Sequence, residues 1–264
     1  MMLRATALIL ALLCAPALAE DDSALTRLET GDQVRGWDAV GRLDFGTRGF
    51  CTGALIAPSL VLTAAHCLFD KDTGARISPE TIEFRAGWRN GRAAAYRGAK
   101  RAMAHPDYVY GGGERLDRVA FDVALIELDQ PIRLSSITPF ATDSRPEEGD
   151  AVGVVSYGQD RAEAPSLQKT CHVISGQPEV LVLSCAVEFG SSGAPIFAIR
   201  DGVARVVSVV SAKAQYQGKD VALGTSLEAP LVDLMAVFRS ESTGFQRSDS
   251  TEREGAAGAK FLRP

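Results

Sequence analysis

The stretch "CTGALIAPSLVLTAAHCL", residues 51–68, decides the fold class. It holds two short apolar runs, "CTGALIA" and "LVLTAA", parted by Pro58 and Ser59, which is the pattern of strand, turn, strand. His66 closes the second run and Cys67 follows it directly, so a disulfide at Cys67 would fix the backbone beside the imidazole ring. A histidine near a strand end is ordinarily structural. Its role here depends on what the rest of the chain brings to it.

Outward from this stretch the same pattern recurs between residues 36 and 225. "AVGRLDF", "TIEFRAG", "VALIEL", "AVGVVSYG", "KTCHVI", "VLVLSCAV", "APIFAI" and "ARVVSVVSA" are rich in Val, Ile and Leu and bounded by Gly, Pro, Asp or Asn. Many short strands without helical spacing predict an all-β protein built from antiparallel sandwiches or barrels. "PLVDLMAVFR", residues 230–239, is the exception: Leu231, Leu234, Met235 and Phe238 fall at helical spacing behind Pro230. The boundary between two β units is placed in "ATDSRPEEGD", residues 141–150, which gives units of 36–140 and 141–240. Residues 241–264, polar and rich in Gly and Ala, read as a disordered tail.

At 264 residues, 46% apolar and 23% charged, the chain can build one large domain or two small ones around well-formed cores. Thirty-three acids against 28 bases give a net charge of −5, which argues against a nucleic-acid partner. Residues 1–19 read as a secretory signal. Arg4 precedes "ATALILALLCAPALA", and small residues at 17 and 19 place cleavage after Ala19. That apolar run is shorter than the ~20 residues a span needs, so no membrane association is expected after cleavage, and the destination is secreted or periplasmic.

Four cysteines then remain: Cys51, Cys67, Cys171 and Cys185. An even number in an exported chain predicts two disulfides, with free buried thiols as the alternative. Three connectivities are open; sequence proximity favours Cys51–Cys67 and Cys171–Cys185, each loop worth roughly 3 kcal/mol. The spacings fit no familiar zinc site.

Two further segments carry candidate chemistry. In "FDVALIEL", residues 121–128, Asp122 stands among apolar neighbours. A buried carboxylate is costly unless paired, so it needs a partner; a turn or strand-capping role is the plain alternative. In "EFGSSGAP", residues 188–195, glycines flank Ser191 and Ser192 just before an apolar run. Such a turn marks an unusual backbone shape or a close approach. A serine hydroxyl is a weak nucleophile until an adjacent base takes its proton, and an imidazole with a near-neutral pKa suits that task. A carboxylate fixes its tautomer, and amides in a tight turn can face a developing oxyanion. This chemistry requires no metal or organic cofactor.

The 51–68 stretch resembles, along its whole length, the histidine segment of the trypsin-like (chymotrypsin-fold) serine proteases. "FDVALIEL" resembles that family's D-[IV]-A-L-[IL]-x-L stretch, and "GSSGAP" is similar to its G-D-S-G-G-P. The order His66, Asp122, Ser192 is that of the family. The resemblance spans about residues 36–238. It implies two six-stranded antiparallel β-barrels with a C-terminal helix, and a disulfide joining the cysteines that flank the histidine segment. It further implies His66 as general base, Asp122 as its orienting partner and Ser192 as acylating nucleophile, with the amides of Gly190 and Ser192 as oxyanion hole. "AHPDY", residues 104–108, resembles the family's His-Pro segment, which makes His105 structural. A polypeptide substrate, an acyl-enzyme intermediate and a monomer are expected.

The departures are informative. Ser191 stands where the digestive and clotting branch has the aspartate that pairs with an N-terminus released on activation. The matching basic residue followed by I-V-G-G is also absent, so maturation through that salt bridge is not expected. The pattern resembles the bacterial V8-like, glutamyl-endopeptidase branch, and residues 20–35 are an N-terminal segment or a short propeptide. Ala186 occupies the place of the aspartate that recognises Arg or Lys, so trypsin-like cleavage is not expected. The run "VVSVVSAKA" lacks the histidine of glutamate-specific members; Lys213 reads as a solvated surface lysine, with a place near the pocket favouring an acidic side chain as the alternative. By resemblance, Ser211 and Ala212 lie on the edge that pairs with substrate backbone. Two other readings stay open: an inactive homologue serving as a binding or adaptor module, and an esterase or acyltransferase using the same triad.

Overall fold

The computed structural model describes residues 21–111 and 116–253; the expected signal peptide, 1–19, lies outside the described residues. The described residues begin with β1 (Thr26–Arg27) and a short helix α1 (Gly31–Val34), whose start is closed by a reciprocal cap between Thr30 and Gln33. Six strands follow: β2 (Val40–Asp44), β3 (Phe50–Ala57), β4 (Leu60–Thr63), β5 (Glu83–Ala86), β6 (Ala95–Ala104) and, after helix α2 (Leu116–Ala120), β7 (Ala124–Leu128). They close a barrel in the order β2-β3-β4-β7-β6-β5. Pro58 and Ser59 form the turn between β3 and β4, where Ala57 pairs with Leu60. Val40, Leu43, Leu55, Val61, Leu62, Phe84, Leu125 and Ile126 are fully buried on its strands, some inside the barrel and some against what covers it.

The second unit comprises β8 (Ala151–Ser156), β9 (Ser166–Gln177), β10 (Val180–Leu183), β11 (Pro195–Arg200), β12 (Val203–Tyr216) and β13 (Lys219–Ser226). Its strands run β9-β10-β13-β12-β11-β8, and pairing of β8 with β9 closes the ring. The chain is therefore all-β, two closed six-stranded antiparallel barrels with a C-terminal helix. β7 ends at Leu128 and β8 begins at Ala151, so residues 141–150 fall in the connection between barrels.

The segment before the first barrel packs on the second. β1 pairs with β9, Ser23 donates its amide to Thr170 O at 2.8 Å, and Leu28 is buried. Asp22 Oδ1 accepts the Ser184 hydroxyl at 2.7 Å and faces His172 Nδ1 at 2.9 Å.

Three differences from the sequence expectation have physical causes. β6 and β13 are not among the expected strands, because "AYRGAKRAMA" and "KDVALGTS" carry Ala, Gly, Lys and Arg, weak strand formers. Barrel closure supplies what local preference does not. The final helix, α3, runs from Glu228 to Arg253 rather than ending at 239. Leu231, Leu234 and Phe238 anchor it, and once a helix is nucleated each added residue gains one hydrogen bond. The expected disordered tail thus begins within helical backbone, and 254–264 lie outside the described residues. Among the described residues no helix is long and apolar enough to cross a membrane.

Candidate active site

β4 ends at Thr63, and a 3-10 turn over Ala65–Leu68 carries His66. The Cys51–Cys67 disulfide ties that turn to the start of β3, and a second joins Cys171 to Cys185, the pairing favoured by proximity. Asp122, 3% exposed, sits between α2 and β7. Its Oδ1 accepts the His66 amide at 2.8 Å and its Oδ2 faces His66 Nδ1 at 2.7 Å. Oδ2 also accepts the Ser211 hydroxyl, and the Thr225 hydroxyl donates to the Asp122 carbonyl at 3.2 Å. The partner that the buried carboxylate needs is therefore His66, with Ser211 as a second donor. Facing a carboxylate, Nδ1 carries the ring proton and leaves Nε2 as the acceptor. Burial disfavours the imidazolium; the Asp122 charge and hydrogen bond outweigh it, against a smaller push from Arg118, and the His66 pKa stands above its ordinary 6.5.

The turn carrying Ser192 explains its glycines. Gly190 and Gly193 have φ of 95° and 76°, in the left-handed region. A Cβ on Gly193 would stand 2.1 Å from Thr63 Oγ1 and 2.5 Å from Thr52 O, and one on Gly190 would stand 2.4 Å from the Phe50 ring. The amides of Ser191, Gly193 and Ala194 donate to Glu188 O, Val210 O and Ser191 O at 2.9, 2.7 and 2.9 Å. Among the described residues, those of Gly190 and Ser192 donate to no protein acceptor. Thr52, on β3, binds this turn twice: its amide donates to Ser192 O at 2.9 Å and its hydroxyl to Gly190 O at 2.8 Å. Nothing in the sequence separates Thr52 from any other strand threonine, and no reading of motifs selects it.

His66 and Ser192 both line two cavities that meet at them. One, of about 680 Å³, is walled by Val119, Val187, Val210 and Leu223 and includes Asp122, Ser211 and Ala212. The other, of about 410 Å³, is lined by Phe50, Phe69, Tyr110 and Phe189, with Arg48 and Lys71. The Ser192 hydroxyl makes no hydrogen bond to His66 among the described residues, although the two share both cavity walls. Ala186 does not join them: it is exposed, its amide donates to Gln168 Oε1 at 2.7 Å, and its neighbour Val187 forms the wall instead. Lys213 is exposed, as a solvated lysine is, and stands at the rim of the first cavity, with Glu188 at 3.2 Å and Asp220 at 3.3 Å. His105 is buried, stacked on Phe121 with ring centroids 4.9 Å apart, away from both cavities. Among the described residues the one cluster of metal-ligating types is Cys51, His66 and Cys67, and its two sulfurs are bonded to each other.

The Trypsin family profile matches residues 29–226 of the chain. A glutamyl endopeptidase of Bacillus licheniformis is 26% identical over 150 residues, 56% of this chain and 45% of that protein. A modular serine protease of Drosophila melanogaster is 33% identical over 89 residues, 33% of this chain and 14% of that protein. The chain thus spans less than half the length of these curated relatives. A solved structure of a Glu endopeptidase is similar with a TM-score of 0.67 at 17% identity, covering 85% of this chain and 100% of the other. That likeness speaks for the fold alone.

Proposed function

The chain belongs to the trypsin family, and from that premise we propose that it is a serine endopeptidase working through His66, Asp122 and Ser192. Nε2 of His66 takes the Ser192 proton as Oγ attacks a peptide carbonyl, and the oxyanion is met by the free amides of Gly190 and Ser192. The imidazolium, steadied by Asp122, returns its proton to the leaving amine, and water then releases the acyl group by the same route. The observation that carries this reading is the convergence of a carboxylate-oriented imidazole and two unused amides on one serine.

The substrate is a polypeptide in extended form. β12 pairs with β11 only as far as Val209 but with β13 as far as Tyr216, which leaves the edge from Ser211 onward open to a further strand. The apolar cavity walls and the neutralised Lys213 favour an apolar side chain before the scissile bond. Two disulfides support a secreted or periplasmic destination, and the site needs no second copy.

The absent Ser192–His66 hydrogen bond is the observation that favours the second reading, an inactive homologue acting as a binding module, although such bonds often tighten only with substrate. Incubating the chain lacking residues 1–19 with unfolded casein and a peptide library separates the two. Cleavage after apolar residues, abolished by Ser192→Ala, is the expected result. Casein left intact by folded, disulfide-bonded protein supports the binding module.

A further inference from the structure

Beneath the Ser192 turn lies a buried cation for which the reaction has no place. Arg161, in the 3-10 turn Gln159–Arg161 after β8, is 7% exposed. Its Nη1 donates to Ser156 O at 2.6 Å, and its Nη2 to Ser156 Oγ at 3.0 Å and Ser191 Oγ at 3.1 Å. All three acceptors are neutral. Its Nε has no hydrogen-bond partner among the described residues, and the carboxylate beside it, Asp160, stands 3.9 Å away with a side chain 74% exposed. Gly158 makes the room: a Cβ there would come within 2.9 Å of Arg161 Nε.

A buried charge without a close counter-ion is costly, and the position of this one is telling. Ser191 is fully buried between Gly190 and Ser192, the residues whose amides the proposed mechanism uses. Its hydroxyl takes the Arg161 bond, receives the Glu188 amide at 3.2 Å and donates to Tyr157 O at 3.0 Å. Removing the guanidinium would take the charged donor from the Ser156 carbonyl and from both hydroxyls, leaving the Glu188 amide as the remaining donor to Ser191 and the Ser191 hydroxyl, 3.3 Å away, as the remaining donor to Ser156.

We propose that Arg161 is a positioning residue, whose buried guanidinium holds Ser191 and so sets the turn that presents the Gly190 and Ser192 amides. The turn is then fixed by a cation belonging to the folded chain, with no need of an ammonium released by cleavage. This rests on the peptidase reading above, and its sign suits a turn over which negative charge develops.

The test uses the chain lacking residues 1–19 as wild type, Arg161→Met, Arg161→Lys and Ser191→Ala. Second-order rates of fluorophosphonate labelling, kcat and KM on p-nitrophenyl butyrate, and thermal unfolding are measured together. The expected result is labelling about 100-fold slower in Arg161→Met and about 10-fold slower in Ser191→Ala, with Arg161→Lys between wild type and Met. The loss should fall on kcat with KM held, a split that a purely structural role does not produce in folded protein. A folded Arg161→Met or Ser191→Ala that labels within twofold of wild type overturns the inference and leaves the peptidase reading standing. Should Arg161→Met fail to fold, Ser191→Ala decides by the same criterion. Wild type that takes no label overturns the peptidase reading itself.

Discussion

Ser211, on β12 of the second barrel, donates its hydroxyl to Asp122 Oδ2, on the first, at 2.5 Å. The same oxygen faces His66 Nδ1 at 2.7 Å, so one buried carboxylate joins both barrels to the imidazole. A hydrogen bond to a charged group contributes about 1.5–3 kcal/mol. Ser211→Ala is therefore expected to lower the thermal midpoint and slow fluorophosphonate labelling together. Unchanged values of both would show that the bond carries nothing.

The raised His66 pKa sets the pH dependence. Nucleophile activation needs the neutral ring, so the labelling rate should fall on acidification with a midpoint above 6.5. The stability contribution has the opposite sense: it is complete below 6.5, the unfolded value, and is lost as pH rises through the folded pKa. Asp122→Asn removes the raising cause and leaves burial, so the rate midpoint should move down while the plateau drops about 10⁴-fold, the loss known for the same change in the chymotrypsin triad. A wild-type midpoint at or below 6.5 contradicts the assignment.

Gly193 cannot carry a side chain. Its φ of 76° is in the left-handed region, and the backbone oxygen of Thr52, 2.5 Å from where a Cβ would stand, has no freedom to retreat. Gly193→Ala should cost at least about 1–3 kcal/mol from backbone strain alone and displace Ser192. Thermal unfolding and labelling check this; a variant with wild-type values of both would mean that the turn is more pliant than its contacts allow.

Much of this architecture is legible in the sequence, for reasons that differ by element. Runs such as "VALIEL" betray themselves by composition, because buried strands need Val, Ile and Leu on the inner face. β6 and β13 do not, since barrel closure, and not local preference, recruits them. The candidates His66, Asp122 and Ser192 are legible because their neighbours are constrained too: Cys67 by its disulfide, Gly193 by Thr63 and Thr52. Thr52 acts through backbone and hydroxyl bonds that any strand threonine can offer, so only the fold reveals it. Ala186 is exposed in the segment after β10, and the neighbouring Val187 is the one on the cavity wall, a choice that packing makes and the sequence does not display. Arg161 reads in the sequence as one charge among many; its burial is a property of packing.

Thr52 offers a separate check on how the first barrel governs the turn. Thr52→Val removes the donor to Gly190 O at 2.8 Å and the acceptor of the Tyr157 amide at 3.1 Å, while keeping the amide bond to Ser192 O. Leaving those buried groups unpaired costs about 1–3 kcal/mol. The expected outcome is a lower thermal midpoint with slower labelling, and Thr52→Ser should restore much of both. A valine variant as fast and as stable as wild type would remove Thr52 from the account.

The most direct measurement is mass-spectrometric location of a fluorophosphonate adduct on the oxidised, folded chain lacking residues 1–19, beside Ser192→Ala. The account predicts one adduct, on Ser192, in the wild type and none in the variant. Folded wild type without an adduct, or an adduct that persists in Ser192→Ala, contradicts it.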